Sequence, residues 1–289
     1  MSTKLARDPS GISNFGTFVV FLIAIALALT AYYVWLVPVR PSDVRIAEEG
    51  DSVSVDYVGY FADTNLIFDT SIESVARDNA SFHKAVSFAW RARWQPLSFR
   101  VGDGSVVIGF NEGVRGLALG ASSTVIVSAE EGYGPMDPDL VQVRPLLESV
   151  PVRLTLNATE FQAKYSTAPA SGIKVTDPFW GWEAIVEVSG SIVRVTNSPE
   201  LGEIVRPYDA WEAEVISIDD AASAGAGEII VRHRIDTGMA NRLGGKSNGQ
   251  AFYVSAVDVD AGTYTMNYNR EVVGRTLVFQ VTLRSLFRI

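Results

Sequence analysis

The stretch Val53-Ser54-Val55-Asp56-Tyr57-Val58-Gly59-Tyr60-Phe61 decides how this chain folds. Val53, Val55, Tyr57 and Gly59 alternate with partners such as Ser54 and Asp56, the period of a strand with one buried face. Moving outward, Leu97, Phe99 and Val101 alternate in the same way, as do Val125 and Val127. Far downstream, Leu277, Phe279, Val281 and Leu283 repeat the pattern, and no other late segment offers the first strand such a partner. One short helix is expected from about Phe110 to Leu117, with Phe110, Val114 and Leu117 on one face. A helical or irregular excursion spans Ile72 to Trp94. The elements describe an α+β, mainly β chain whose first sheet is completed from a distance.

Upstream of the strands, no side chain from Pro9 to Val39 is charged, and Thr17–Val37 reads TFVVFLIAIALALTAYYVWLV. As a helix this stretch covers about 30 Å, the hydrocarbon thickness of a bilayer. Tyr32, Tyr33 and Trp35 suit one interface. Residues 1–14 are therefore expected to form a tail and residues 15–39 a transmembrane helix, with the bilayer as a partner. Ala26-Leu27-Ala28 allows a cleaved signal instead, but the apolar run continues well past it. Lys4 and Arg7 before the helix balance Arg40 and Arg45 after it, so only the free amino terminus favours a cytoplasmic N-terminus. Two sequons, Asn79-Ala80-Ser81 and Asn157-Ala158-Thr159, suit an exported face. The expected placement is single-pass, with the C-terminal domains extracytoplasmic.

The net charge of −9 argues against a nucleic-acid surface. With no cysteine there is no disulfide, thiolate nucleophile or cysteine-ligated metal. Two histidines, His83 and His233, leave little for a metal site or a catalytic triad, and neither metal nor cofactor is expected. His83 lies in the polar excursion and reads as a surface residue.

Between Arg144 and about Met266 the texture changes, with Pro145, Pro151, Pro178, Pro199 and Pro207 punctuating short β-like runs. Gly225-Ala226-Gly227 and the run Gly244–Gly249 suggest hairpin loops. Pro178-Phe179-Trp180-Gly181-Trp182 and Trp211 suit the core of such a region better than a client surface. Gly102-Asp103-Gly104 fails as a dinucleotide fingerprint because Val107 stands at the third glycine. Gly245-Lys246-Ser247 fails as a phosphate loop because Ala240 stands at its first glycine.

Four ordered segments resemble the FKBP family of peptidyl-prolyl isomerases. Val55–Phe61 with Ile67-Phe68-Asp69-Thr70-Ser71 is similar to V-x-Y-x-G … F-D-S-S. Pro96–Gly102, leading to Val107-Ile108-Gly109-Phe110-Asn111-Glu112-Gly113 and Gly116-Leu117, is similar to F-x-x-G … V-I-x-G-x-E-x-A-L-x-G. Glu131-Gly132-Tyr133-Gly134-Pro135 resembles the A-Y-G turn, and Gly274–Val281 the closing strand. The resemblance implies an antiparallel half-barrel sheet wrapped on a short helix, built from residues 50–143 and 267–289. Residues 144–266 sit where SlyD-like and archaeal long-type members carry an insert-in-flap domain that holds clients, here expected to be mostly β. Asp137–Gln142 resembles the run entering that insert. At the exit the family's His-Pro-Leu-Ala reads Arg270-Glu271-Val272-Val273.

The resemblance implies isomerisation of X-Pro bonds in unfolded or proline-containing polypeptides of exported or surface proteins. Rotation breaks amide resonance, a barrier of ~18–20 kcal/mol. The planar amide is more polar than the twisted one, so an apolar pocket disfavours the ground state more than the transition state. About 5 kcal/mol of such difference gives ~10⁴-fold acceleration without nucleophile or cofactor. By resemblance the catalytic set is Tyr57, Phe68, Asp69, Val107, Phe110 and Tyr133, with Leu97, Val106 and Phe279 contacting substrate. Phe110 takes the floor position often held by Trp, and Leu97 replaces a common Phe. Val107 N–H and the Tyr133 hydroxyl hold substrate carbonyls, and Asp69 sets polarity. The alternative is a non-catalytic FKBP-like chaperone or assembly subunit.

Overall fold

The computed structural model describes residues 14–36 and 45–288. The chain runs through α1 (Asn14–Leu36), β1 (Ser52–Phe61), β2 (Ile67–Thr70), α2 (Glu73–Arg77), β3 (Leu97–Arg100), α3 (Ile108–Val114) and β4 (Ser122–Val127). Next come β5 (Val141–Pro145), β6 (Leu147–Val150), β7 (Arg153–Leu156), α4 (Ala158–Tyr165), β8 (Lys174–Thr176), β9 (Glu183–Ser189) and β10 (Ile192–Asn197). The rest comprises β11 (Ile204–Val205), β12 (Ala213–Asp219), β13 (Glu228–His233), β14 (Gly244–Ser247), β15 (Gln250–Asp258), β16 (Thr263–Asn267) and β17 (Leu277–Phe287).

The alternation in β1 is realised as burial. Val53, Val55, Tyr57 and Phe61 are all buried in one core, and along β17 so are Leu277, Phe279, Val281, Leu283 and Leu286. The two strands pair antiparallel from Ser52↔Phe287 to Phe61↔Leu277, with a register shift between Ser54 and Val55. The other edge of β1 is shared by β3, paired at Ser52–Val55, and β2, paired at Val58–Tyr60. β4 closes the far side against β17. A strand supplied late in the chain is thus central to the first sheet.

Helix α3 lies against β4 because two glycines let it. A Cβ on Gly109 would stand 2.7 Å from Val127 Cγ1, and one on Gly113 would stand 2.2 Å from Val125 Cγ1. Each glycine costs a helix roughly 1 kcal/mol relative to alanine, which the burial of Phe110 and Val114 against the sheet offsets. The helix starts at Ile108 and ends at Val114, earlier than the apolar spacing suggests. Gly116 turns the chain with φ of +81°, and its N–H leaves the helix to bond Ala47 C=O at 2.7 Å.

Beyond β4 the chain builds three four-stranded sheets, ordered β7-β10-β9-β8, β11-β12-β13-β6 and β14-β15-β16-β5. Trp180 and Trp182 stack at 5.2 Å inside the second, and Trp211 lies in the core of the third. Gly244–Ser247, expected as loop, is an edge strand whose turn is only Asn248-Gly249. The sequon residue Asn157 caps α4 in a reciprocal box with Glu160. His233 is fully enclosed between Trp211 Nε1, which donates to its Nδ1 at 2.9 Å, and the Glu148 carboxylate, 3.1 Å from its Nε2. Indole N–H only donates, so Nδ1 accepts and Nε2 carries the proton toward Glu148.

The run leaving the first sheet and the run returning to it are bonded together. Asn269 takes both backbone groups of Asp137, accepting its N–H at 3.0 Å and donating to its C=O at 2.9 Å. Tyr268 N–H meets Leu140 C=O at 2.8 Å, and Gly274 N–H meets Gly134 C=O at 2.9 Å.

One expectation is corrected here. Among the described residues no helix is long and apolar enough to cross a membrane. The helix α1 is present over Asn14–Leu36, but it does not meet that requirement. The expected transmembrane helix, and the bilayer as a partner reached through it, are not supported. Residues 1–13 of the expected tail 1–14, and residues 37–39, lie outside the described residues, and Asn14 is the first residue of α1.

The dependence of the first sheet on β17 is testable. Leu283 is fully buried opposite Val55, so Leu283→Ala should lower stability by about 2–5 kcal/mol. Deleting residues 272–289 should abolish the cooperative melting of residues 50–142. Chemical denaturation of the point variant and calorimetry of the truncated chain measure the two effects.

Candidate functional site

Tyr57 from β1, Phe68 from β2, Phe110 from α3 and Phe279 from β17 converge in the first core. Their rings meet edge to face: Phe110 to Phe279 at 4.9 Å and 77°, Phe68 to Phe279 at 5.5 Å and 87°, Tyr57 to Phe110 at 5.9 Å and 80°. Gly59 makes this convergence possible, since a Cβ there would lie 2.8 Å from Phe68 Cζ and 2.9 Å from Phe279 Cε1.

In front of these rings lies a cleft of about 520 Å³. Phe68, Asp69 and Tyr133 line it together with Phe252, Tyr253 and Tyr268. Tyr133 is 39 % exposed and carries the Arg270 guanidinium over its ring at 5.1 Å. Of the nine residues expected in the site, the structure therefore places three on the cleft. Tyr57, Phe110 and Phe279 stand behind it, and Phe110 is only 3 % exposed, a backing ring rather than an open floor. Leu97, Val106 and Val107 pack on the same core, and Val106 also faces a separate small hollow beside Ile108. Val107 N–H donates to no acceptor among the described residues.

Asp69 is half-buried and already engaged. The Tyr57 hydroxyl donates to its Oδ2 at 2.6 Å, and Arg91 Nη2 contacts its Oδ1 and Oδ2 at 2.6 and 2.7 Å. Burial first, then the Asp69 charge, pushes the Tyr57 phenol well above its ordinary pKa, so it stays a donor. Arg91 was not legible as a site residue, because it sits 22 positions away in an irregular segment with no period to orient it. Its one signal is the cationic pair Arg91 and Arg93 beside Trp94.

Glu271 stands where the resembling family has proline. Its side chain is almost wholly buried on the cleft wall, accepting Ser87 N–H at 2.8 Å and lying 3.7 Å from Arg275 Nη1. Burial raises its pKa above the usual carboxylate range. Arg275 lies over the Phe61 ring at 3.7 Å and pairs with Asp63 at 2.5 Å.

Comparison with known proteins agrees with this architecture. Residues 44–146 match the family model described as FKBP-type peptidyl-prolyl cis-trans isomerase. A short-type peptidyl-prolyl cis-trans isomerase of Methanocaldococcus jannaschii is 30 % identical over 159 residues, covering 53 % of this chain and 92 % of that protein. FK506-binding protein 2 of Kluyveromyces lactis is 31 % identical over 111 residues, covering 35 % of this chain and 66 % of that protein. The chain belongs to the FKBP-type peptidyl-prolyl cis–trans isomerases.

Gly59→Ala tests the ring arrangement. The added methyl overlaps both rings, so stability should fall by about 1–3 kcal/mol and isomerase activity several-fold. Thermal melting and a proline-peptide assay on the same preparation measure both.

Proposed function

We propose that the cleft between Phe68, Asp69 and Tyr133 is where an X-Pro bond is isomerised, with the rings of Tyr57, Phe110 and Phe279 behind it excluding water. The observation that carries this reading is the coincidence of a cleft with a continuous edge-to-face aromatic wall. The proline ring enters against Phe68 and Tyr133. A twisting amide loses resonance and polarity, so a dry wall favours it over the planar form. The Tyr133 hydroxyl, on the cleft, holds a carbonyl flanking the bond. Asp69, neutralised by Arg91, orients the Tyr57 hydroxyl without presenting a bare charge.

The substrates are proline-containing segments of unfolded polypeptides. Residues 144–266 supply Phe252 and Tyr253 to the lining of the same cleft, which supports a client-holding role for that region beside the site of chemistry. A second reading, binding without catalysis, draws on the close cover of Phe110 and on the engagement of Asp69 by Arg91.

The two readings separate on a short X-Pro peptide followed by NMR exchange or protease coupling. Isomerisation should exceed the buffer rate. Tyr133→Phe, which removes one hydroxyl from a half-exposed ring, should cut that rate several-fold with unchanged melting. Phe110→Leu keeps the core filled and should do the same with a small loss of stability. A folded chain with no rate above buffer establishes the non-catalytic reading.

A further inference from the structure

Residues 82–94 read FHKAVSFAWRARW and include Lys84, Arg91 and Arg93 but no carboxylate, in a chain of net charge −9. The segment has little regular structure, yet it is pinned at several points. Ile67 N–H bonds His83 C=O and Ala85 N–H bonds Ile67 C=O, both at 2.8 Å. Lys84 Nζ donates to the carbonyls of Val75, Asp78 and Phe82. Ser87 N–H is held by Glu271, and Arg91 by Asp69.

What this framework holds outward is aromatic. Phe88, Trp90 and Trp94 form a mutual cluster with centroids 5.5–6.3 Å apart, and Trp90 remains 58 % exposed. Cations lie over two of the rings, Lys84 at 5.6 Å from Phe88 and Arg91 at 5.9 Å from Trp94. Arg93 is exposed and has no carboxylate partner among the described residues. Burial within the fold does not account for an exposed Trp90 held against the half-buried Phe88 and Trp94. The same segment contributes Val86, Ser87, Ala89 and Arg91 to the wall of the cleft, so the platform continues the cleft surface.

We propose that Phe88, Trp90, Trp94 and Arg93 form a second client subsite, which takes apolar residues accompanied by carboxylates in the segment flanking the proline. The inference rests on the isomerase reading of the cleft for where the proline sits. A lipid surface would also suit aromatics and cations, but it does not account for the platform alternating along the chain with residues that line a peptide-sized cleft. Rings accept the apolar side chain by stacking and edge contact, and the exposed Arg93 selects acidic over basic neighbours.

The test uses the whole chain and three peptides sharing one X-Pro core: the core alone, the core flanked on both sides by Glu-Phe, and the core flanked by Lys-Phe. The acidic extension should raise kcat/KM by roughly fivefold over the core, mainly through KM, the size expected of one exposed aromatic–cation contact plus one surface ion pair. Trp90→Ala should erase that gain and leave the rate on the core unchanged. Arg93→Glu should shift the preference to the basic extension. Equal kcat/KM for all three peptides, or a gain that survives both variants, overturns the subsite. Fluorescence anisotropy of the labelled extended peptides reads the subsite whether or not the bond turns over. A chain that binds the acidic peptide through Trp90 and Arg93 without turning it over therefore refutes the isomerase reading and keeps the subsite. Trp90-dependent binding to anionic phosphatidylserine vesicles with no peptide preference assigns the platform to a membrane surface instead and overturns the proposal.

Discussion

The site depends on a missing atom. Gly59 stands opposite Asp69 on one neighbouring strand and opposite Phe279 on the other. Because it has no Cβ, Phe68 and Phe279 meet across β1, and Phe279 can then reach Phe110 under the sheet. Each edge-to-face contact adds about 0.5–1.5 kcal/mol beyond the area it buries. Their larger effect is geometric, since a chain of perpendicular rings fixes every member once one is fixed. The glycine pair in α3 works in the same way one layer down, bringing the helix close enough to β4 for Phe110 to join.

The irregular segment after β2 is an electrostatic strut. At one end Arg91 neutralises Asp69 beside Tyr57; in its middle Ser87 N–H satisfies one oxygen of the buried Glu271. Glu271 is linked to Arg275, which reaches back to Asp63 and Phe61 at the end of β1. A segment without regular hydrogen bonding is thus tied to both runs of the first sheet through charged groups. A half-buried ion pair contributes modestly when made and costs more when one partner is removed, so such ties specify position more than they add stability.

Much of this was legible in the residues. Val53, Val55 and Tyr57 alternate at period two, and so do Leu277, Phe279 and Val281, which is enough to pair them once a partner is needed. The converging rings were legible only through the resemblance, because contact between Phe68, Phe110 and Phe279 depends on tertiary approach. The helix ends were misplaced, since Gly109, Gly113 and Gly116 act through close packing and a positive φ that apolar spacing does not register. Arg91, Phe252 and Tyr253 were missed for a related reason: a cleft wall assembled from three distant irregular or edge segments has no local pattern. The apolar N-terminal run was read by composition as a membrane helix, which the described part of α1 does not support. Asn157 shows the opposite limit, where a three-residue motif concealed a helix cap that Glu160 three positions later announces.

The pairing of β1 with β17 also bears on how the protein is made. Phe61 waits for Leu277, which leaves the ribosome 216 residues later. At ~5–20 residues per second this is a delay of roughly 10–40 s, during which β1 offers the edge that β17 will fill. Phe279, and with it the aromatic wall of the cleft, is among the last parts delivered. The delay is comparable to the tens of seconds that an uncatalysed X-Pro bond takes to isomerise, so a nascent chain holds its 12 prolines before its own aromatic wall is complete.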